Sequence, residues 1–327
     1  MAGGGEYKPI LRLRKLCKDF QSGGFREKLS RVIDSVDMEI NAGEIRGIVG
    51  ESGAGKSTLA RCSLRLIDSS SGSVQFDGEE LTSLSPSALR ARRKDFQMVF
   101  QDAYASLNPA MTVKQILMEP LQIHGIGDND SRLQQVRESL DSVSLSESLM
   151  NRRPGELSGG QQQRVGIARG LILKPRLLIA DEPVSSLDAS VQAQILNLMA
   201  ELKKRNGHTL VLISHSLSAI HYLCTHVSVL YKGRLIEEAP AEVFFGKPRH
   251  PYSKALLDAT LVLNLQKGPR IRSARSHHPS LPLPESGCAF HPYCSQTLPV
   301  CGMKVPSLSK VGMDGTVACF LYSPASH

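Results

Sequence analysis

The run GESGAGKST, from Gly50 to Thr58, is compatible with few local structures. It fits the pattern G-x-x-x-x-G-K-[ST] and stands between an apolar segment, Glu44 to Val49, and a segment with apolar residues at helical spacing. The order strand, glycine-rich loop, helix directs several backbone N–H groups toward one point, as phosphate-binding loops do. Lys56 can then reach phosphate oxygens, and the Ser57 hydroxyl can ligate Mg²⁺. We therefore predict a nucleotide site that uses Gly50, Ser52, Gly53, Gly55, Lys56, Ser57 and Thr58.

The composition is that of a folded protein with more than one unit. The chain has 327 residues, of which 41% are apolar, and at about 150 residues per domain it predicts about two units. No apolar run approaches the roughly 18 residues that span a bilayer, and the N-terminus lacks the apolar core of a signal peptide. These features predict a soluble, intracellular chain. Most of the net charge of +8 and ten of the 18 prolines follow Gly246, which predicts a boundary there.

A second motif, made of two acidic residues, follows a predicted buried strand. The run from Leu177 to Ala180 is continuously apolar and ends in Asp181 and Glu182. Such a run is typical of a strand covered on both faces of a parallel sheet, with its carboxylates at the carboxyl edge. Asp181 can hold Mg²⁺, and Glu182 can polarise an attacking water. Together with the Lys56 loop, the two acids predict nucleotide hydrolysis.

The motif LSGGQQQR, from Leu157 to Arg164, opens a predicted helix. A serine and two glycines at a helix start suit either a second anion site or an ordinary helix cap. The residues of this motif match the signature motif of the ATP-binding cassette (ABC) ATPases, and the chain resembles that family over nearly its whole length. The resemblance makes Ser158 and Gly160 ATP-binding residues.

Other positions of the family can be assigned on the same resemblance. Gln101 resembles the glutamine that touches Mg²⁺ and reports to the membrane partner, and His215 resembles the switch histidine that contacts the γ-phosphate. Ser186-Leu187-Asp188 resembles the D-loop, which makes Asp188 an ATP-binding residue. Phe20 resembles the aromatic residue that stacks on adenine, with Phe25 as a weaker candidate. The implied catalytic set is Glu182, His215 and Gln101, and the implied Mg²⁺ ligands are Ser57, Gln101 and Asp181.

The resemblance also implies a fold and a mechanism. The fold is α/β, with a RecA-like core, an antiparallel β subdomain and a helical subdomain at about 93–170, all within residues 1–246. The nucleotide-binding core is expected to be complete by Gly246. In the family two cassettes pair head to tail, so that the Ser158 helix of one completes the Lys56 site of the other. One cassette alone should therefore be a poor ATPase.

Two segments indicate a branch of the family. FQDAYASLNPAMTV resembles the corresponding region of peptide and nickel importers, apart from Ala103, where proline is usual. Lys247 to Tyr252 resembles the His-Pro-Tyr element that opens their C-terminal extension, which gives a second unit at 247–327. Ser216, where aspartate is usual, and Gly170, in the signature helix, are further departures.

Cys288, Cys294, Cys301 and Cys319 lie in this extension. A proline-rich unit of this size needs a staple, and disulfides are not expected in a cytosolic protein. Four thiolates suit Zn²⁺ or an iron–sulfur cluster. In the importers that the chain resembles, the matching cysteines are associated with a [4Fe–4S] cluster, so we favour the cluster over zinc. Four unrelated thiols remain an alternative. The other cysteines, Cys17, Cys62 and Cys224, are expected in the core.

The resemblance therefore implies the ATP-binding and ATP-hydrolysing subunit of a peptide or related small-solute importer. Its partners would be a second, usually different, ABC ATPase subunit, two membrane permease subunits and, indirectly, a solute-binding protein, but no nucleic acid. It would be peripheral on the cytoplasmic face of the membrane. The alternative is an ATPase subunit of a soluble enzyme complex such as phosphonate breakdown. A DNA-repair cassette is disfavoured, because the chain has no basic groove studded with aromatic residues. The sequence does not distinguish dipeptide, oligopeptide, nickel or another solute.

Overall fold

A computed structural model describes residues 9–22, 28–185, 187–206, 209–264, 286–312 and 315–322. The strands, in chain order, are β1 (Pro9–Ser22), β2 (Lys28–Asn41), β3 (Ile45–Val49), β4 (Ser71–Phe76), β5 (Glu79–Glu80), β6 (Phe96–Val99), β7 (Leu177–Asp181), β8 (Thr209–Ile213), β9 (His226–Tyr231), β10 (Arg234–Pro240), β11 (Ser309–Lys310) and β12 (Thr316–Val317).

The α-helices in the same ranges are α1 (Lys56–Ser63), α2 (Pro86–Arg92), α3 (Ala103–Ser106), α4 (Val113–Ile123), α5 (Asn129–Ser142), α6 (Gly159–Leu171), α7 (Ala189–Asn206), α8 (Leu217–Leu223), α9 (Ala241–Gly246) and α10 (Pro251–Asn264). Short 3₁₀ turns lie at Arg93–Asp95, Glu147–Leu149, Pro154–Glu156, His291–Tyr293 and Pro299–Gly302.

A large sheet has the strand order β11-β12-β10-β9-β3-β8-β7-β6. The strands from β9 to β6 are parallel to one another, whereas β10, β12 and β11 are added antiparallel. Every residue of β3, β7 and β8 is buried, which confirms the interpretation of their apolar runs as strands covered on both faces. A second, antiparallel sheet has the order β2-β1-β4-β5. The predicted α/β architecture is confirmed.

The large sheet separates two hydrophobic cores. Successive residues of β8 alternate between them: Val211 and Ile213 face the core shared with α1 and the small sheet, whereas Leu210 and Leu212 face the core shared with helices α4 to α10. The rings of Phe76 and Phe96 meet edge to face at 5.0 Å between centroids and join the two sheets. Three cysteines are buried as predicted, namely Cys17, Cys62 and Cys224, and burial raises the pKa of the Cys62 thiol to about 11.

The helical part, α3 to α6, follows β6. This start differs from the predicted position near residue 93, because Phe96–Val99 pairs in parallel with β7 and belongs to the sheet. Helix α4 begins at a capping box in which Thr112 and Gln115 bond each other's backbone N–H groups. Gly170 lies where α6 crosses the sheet, and a Cβ there would meet Leu178 at 3.2 Å and Val99 at 3.3 Å. Glycine at this departure from the family pattern therefore permits close packing of α6.

The C-terminal segment returns to the large sheet. Glu237 and Glu238 of β10 pair with Val317 and Thr316 of β12. This finding differs from the expectation that the core is complete by Gly246, which is the last residue of α9. Residues on both sides of the predicted boundary therefore build one sheet.

Candidate functional site

Four neighbouring strands bring the predicted residues to one edge. Gly50 follows β3, Glu182 follows β7, His215 lies beyond β8, and Gln101 lies beyond β6. Since these strands are parallel and adjacent in the order β3-β8-β7-β6, their carboxyl ends meet along one edge, where open α/β sheets bind ligands.

The phosphate loop is packed tightly on the sheet. Gly50 has φ of +153°, and a Cβ there would lie 2.1 Å from the Leu230 carbonyl oxygen, so only glycine fits. The Ala54 carbonyl accepts from the Gly233 N–H at 2.9 Å, which ties the loop to the β9–β10 turn. Ser52 and Gly53 form an exposed rim, and Thr58 lies in the first turn of α1.

Lys56 is held inside this loop. Its Nζ donates to the carbonyl oxygens of Gly50 at 2.8 Å and Glu51 at 2.9 Å. Only 6% of the residue is exposed, and burial lowers the pKa of Lys56, opposed by the nearby carboxylates of Glu182 and Asp181. The ammonium group is therefore fixed at the centre of the loop.

Ser57 and Asp181 join the loop to β7. The Ser57 Oγ donates to Asp181 Oδ1 at 2.9 Å. Asp181 is buried, and burial raises the pKa of its carboxyl although the Ser57 bond opposes the shift. A hydroxyl and a carboxylate are the oxygen donors that suit Mg²⁺, which usually takes few protein ligands and completes its shell with water and phosphate. The pair therefore fits the predicted magnesium site.

Gln101 and His215 converge on Glu182. The Gln101 Nε2 donates to Glu182 Oε2 at 2.8 Å, and His215 Nδ1 lies 3.5 Å from the same oxygen. Ser216, the departure after the histidine, accepts from the Ala219 N–H at 3.4 Å and caps α8. The structure thus brings the three predicted catalytic residues together at one carboxylate.

The signature serine forms hydrogen bonds within its own helix start. Ser158 Oγ accepts from the Gln161 N–H at 3.3 Å, and Gln161 Oε1 accepts from the Ser158 N–H at 2.9 Å. Ser158 is exposed. Gly160 packs closely against α7, since a Cβ there would lie 2.7 Å from Val191 Cγ1 and one of the two would have to shift. The motif thus presents a capped, exposed helix start.

The remaining predicted residues lie at the surface or outside the described ranges. Asp188 caps α7 by accepting from the N–H groups of Ser190 and Val191, and these bonds lower its pKa. Phe20 is 41% exposed on β1, with the Lys18 Nζ 5.0 Å from its ring centroid. Ser186 and Phe25 lie outside the described residues.

Tyr252 is a site residue that sequence reasoning did not identify. Its hydroxyl accepts from the N–H of Glu51, in the phosphate loop, at 3.0 Å. The two residues are 201 positions apart, so no local pattern could reveal the bond. The His-Pro-Tyr element was the available signal, but it indicated only the extension.

The four cysteines of the extension line one small cavity together with His250 and Phe290. Burial raises the pKa of the Cys288 and Cys319 thiols, and the neighbouring cysteines add to each shift. No group of three or more His, Cys, Asp or Glu side chains in the described ranges is arranged to hold a metal ion. The cavity therefore gathers the four thiols without forming a ready coordination site.

No helix within the ranges described is both long enough and apolar enough to cross a membrane.

Comparisons with known families cover most of the chain. The sequence-family model described as ABC transporter matches residues 33–185. A second family model, described as oligopeptide/dipeptide transporter, C-terminal region, matches residues 236–301. The oligopeptide transport ATP-binding protein AppF of Bacillus subtilis is 42% identical over 322 residues, which cover 96% of this chain and 98% of AppF. An ATP-binding protein of Brucella ovis that is named for peptide import is 42% identical over 95% of this chain and 97% of its own length.

Solved structures of cassettes share the fold. A dimeric ATP-binding cassette in a post-hydrolysis state, bound to ADP and Pi, has a TM-score of 0.65 and 29% identity, and the match covers 71% of this chain and 99% of the cassette. The cbiO1 protein of Clostridium perfringens, part of an ABC transporter complex, has a TM-score of 0.64 and 26% identity over 79% of this chain and 96% of its own. By sequence and by fold, this chain belongs to the ATP-binding proteins of the ABC transporter family.

Proposed function

We propose that this chain is the ATP-binding and ATP-hydrolysing subunit of an importer for peptides or a related small solute. The observation that carries the proposal is the convergence of Gln101 and His215 on one oxygen of Glu182, at the sheet edge that also holds Lys56 and Asp181. The solute class rests on the similarity to oligopeptide transport proteins, which includes the C-terminal region.

Each residue at the edge has a role that follows from its chemistry. Lys56, which the carbonyls of Gly50 and Glu51 hold at the centre of the loop, would neutralise phosphate oxygens. Ser57 and Asp181, joined by Gln101, would hold Mg²⁺, which neutralises the charge that develops on the phosphates. The other ATP contacts proposed for this cassette are the loop residues Gly50, Ser52, Gly53, Gly55 and Thr58, and Phe20 on adenine.

Glu182 is proposed to polarise the attacking water. A carboxylate does this best when it is oriented by fixed neighbours, and Gln101 and His215 supply two. In this proposal His215 also contacts the γ-phosphate. With a nucleotide bound, Gln101 would also help Ser57 and Asp181 to hold Mg²⁺.

A second cassette is proposed to complete the site. Ser158 is exposed at a helix start, where backbone N–H groups and the helix dipole attract anions. A partner would use this start, with Gly160 and Asp188, to contact the nucleotide on Lys56. We propose that the partner is a different chain, as the resemblance implies.

One of the two permease subunits is proposed to dock at a groove of about 690 Å³ beside the site, and the other on the partner cassette. Gln101 lines this groove, together with Glu119 and Ile123 of the α4 end and Arg169 of α6. Since Gln101 also bonds Glu182, a segment seated in the groove would act on the catalytic carboxylate. The chain would then be peripheral on the cytoplasmic face, and a solute-binding protein would act through the permeases.

The cysteine cavity is proposed to hold an iron–sulfur cluster, with Zn²⁺ as the alternative. The gathering of Cys288, Cys294, Cys301 and Cys319 around one cavity supports the proposal. When bound, the group would cross-link the extension. We propose residues 1–246 as the nucleotide-binding unit and residues 247–327 as a C-terminal extension, which contributes β12 to the large sheet and Tyr252 to the phosphate loop.

Co-purification from membranes tests the proposal. We expect two permease chains and a second cassette to accompany this chain, and ATP hydrolysis by the assembled complex in liposomes to rise when a peptide-loaded solute-binding protein is added. Lys56→Ala in the same complex should lose nucleotide binding. Co-purification with soluble lyase subunits, or unchanged ATP affinity in Lys56→Ala, would contradict the assignment.

A further inference from the structure

The peptide group between Gly50 and Glu51 is held at both ends. Its carbonyl oxygen, that of Gly50, accepts from Lys56 Nζ at 2.8 Å. Its N–H, that of Glu51, donates to the Tyr252 hydroxyl at 3.0 Å. A rotation of this peptide would therefore move the carbonyl that positions the Lys56 ammonium. The orientation of the phosphate loop depends on a residue from the C-terminal extension.

The Tyr252 ring is itself fixed. The residue is 2% exposed, and its ring lies 4.4 Å from that of Tyr231 and 5.5 Å from that of Phe290, between centroids. Tyr231 ends β9, directly after Leu230, whose carbonyl contacts Gly50. The hydroxyl thus approaches the loop from a packed aromatic cluster made of Tyr231, Tyr252 and Phe290.

The backbone that carries Tyr252 is equally constrained. Both carboxylate oxygens of Glu237, a fully buried residue of β10, accept backbone N–H groups: Oε1 from Arg249 and Oε2 from His250, each at 2.8 Å. His250 Nδ1 then accepts from the Tyr252 N–H at 3.0 Å. Carboxylate–amide bonds of this kind are strong in a buried setting, so the start of α10 has little freedom.

The aromatic cluster reaches the cysteine cavity. Phe290 lies between Cys288 and Cys294 in the chain and lines the cavity with both. It also contacts the ring of His250 at 6.0 Å between centroids. A continuous path of contacts therefore runs from the segment between Cys288 and Cys294, the cysteine loop, through Phe290 and Tyr252 to Glu51.

From this path we infer that Tyr252 is a positioning residue for the phosphate loop. Through Tyr252, the fold of the cysteine loop sets the affinity of the phosphate loop for ATP. The inference rests on the proposed ATP binding at Lys56. Tyr252 touches no phosphate; it orients the peptide that positions Lys56.

Tyr252→Phe in the full chain tests the inference, since it removes the hydroxyl and keeps the ring. We expect the Kd for ATP to rise about five-fold, as the loss of one hydrogen bond would give. In the assembled complex KM should rise while kcat changes little. The matched control is Tyr222→Phe, which removes an exposed hydroxyl bonded to Asn197 at 2.5 Å and should leave the Kd unchanged.

A second variant tests the path. Phe290→Leu should also raise the Kd for ATP, and in the double variant with Tyr252→Phe the two effects should not add, because both act through the same hydroxyl. An unchanged Kd in Tyr252→Phe, with or without a lower melting temperature, would overturn the inference while leaving ATP binding intact. If the unmodified chain binds no ATP, the proposed function itself fails.

Discussion

Glu182 leaves β7 with a left-handed backbone. Its φ is +46°, and its N–H donates to the Ile213 carbonyl oxygen at 2.9 Å. Such a conformation costs a non-glycine residue about 1–3 kcal/mol and persists where the surroundings enforce it. Here the positive φ turns the Glu182 side chain toward Gln101 and His215, so the strained backbone sets the position of the carboxylate.

Glu182→Gln should bind ATP but lose turnover by about 10² or more, because an amide cannot polarise the attacking water. The variant should accumulate as the ATP-bound dimer of cassettes. Phosphate release by the assembled complex and size-exclusion chromatography with ATP measure the two effects. Glu201→Gln, on the exposed face of α7, is the matched control. Near-normal hydrolysis in Glu182→Gln would exclude the proposed role.

Asp181→Asn should raise the melting temperature of the nucleotide-free chain and abolish the further stabilisation that Mg²⁺ and ATP give. Burial raises the pKa of Asp181, so the folded chain disfavours the ionised form, and at neutral pH a neutral side chain should raise the melting temperature. The gain should shrink as the pH falls through the raised pKa, because the natural carboxyl is then protonated too.

Thermal unfolding with EDTA measures the first effect of Asp181→Asn, and unfolding with Mg²⁺ and ATP measures the second. The stabilisation by Mg²⁺ and ATP should disappear in the variant. Asp141→Asn, an exposed aspartate, controls for the loss of a surface charge. A lower melting temperature of Asp181→Asn in EDTA would show that the ionised carboxylate stabilises the fold.

The helix α6 contains a matched pair of glycines. A Cβ on Gly160 would lie 2.7 Å from Val191 Cγ1, whereas a Cβ on Gly166 would meet nothing within 4 Å. Gly160→Ala should therefore destabilise the chain by about 1–3 kcal/mol through overpacking, and Gly166→Ala should stabilise it by about 0.5–1 kcal/mol through helix propensity. Urea unfolding of both variants measures the difference. Equal effects would contradict the packing described for the signature helix.

At the level of elements, local patterns predicted the strand–loop–helix around Gly50 and the apolar strand before Asp181, because the residues that determine each are contiguous. The sequence predicts that the helical part starts near residue 93, before β6, because a strand of four residues carries too little periodicity to be recognised. Strand β12 is only two residues long and is stabilised by β10, far away in the chain. The hydrogen bond between Tyr252 and Glu51 is likewise not predictable from local patterns, because the two residues are 201 positions apart in the chain.

At the scale of the whole molecule, the iron–sulfur cluster proposed for the cysteine cavity can be tested directly. Protein purified without oxygen should be brown, with absorbance near about 400 nm that dithionite bleaches. Replacing Cys288, Cys294, Cys301 or Cys319 by serine should remove the colour and loosen the extension, since metal binding supplies folding energy. Cys224→Ser, in the core, should keep the colour.

Two outcomes of the cysteine experiment would change the assignment. Colourless protein with one equivalent of Zn²⁺ would replace the cluster with zinc. Metal-free protein with four titratable thiols and an ordered extension would exclude both. If the colour and the ATP affinity are lost together in the serine variants, the path through Phe290 and Tyr252 explains why damage to the extension reaches Lys56.

The edge of the large sheet has a consequence for biosynthesis. Strand β10 is covered by β12, and β12 by β11, a two-residue strand that ends in Lys310. Very short edge strands that carry lysine resist pairing with other chains. While the ribosome still holds residues 309–317, however, β10 has emerged with an open row of backbone groups. A chain halted at that stage would present an adhesive edge, which makes stalled or truncated products natural substrates for chaperones and proteases.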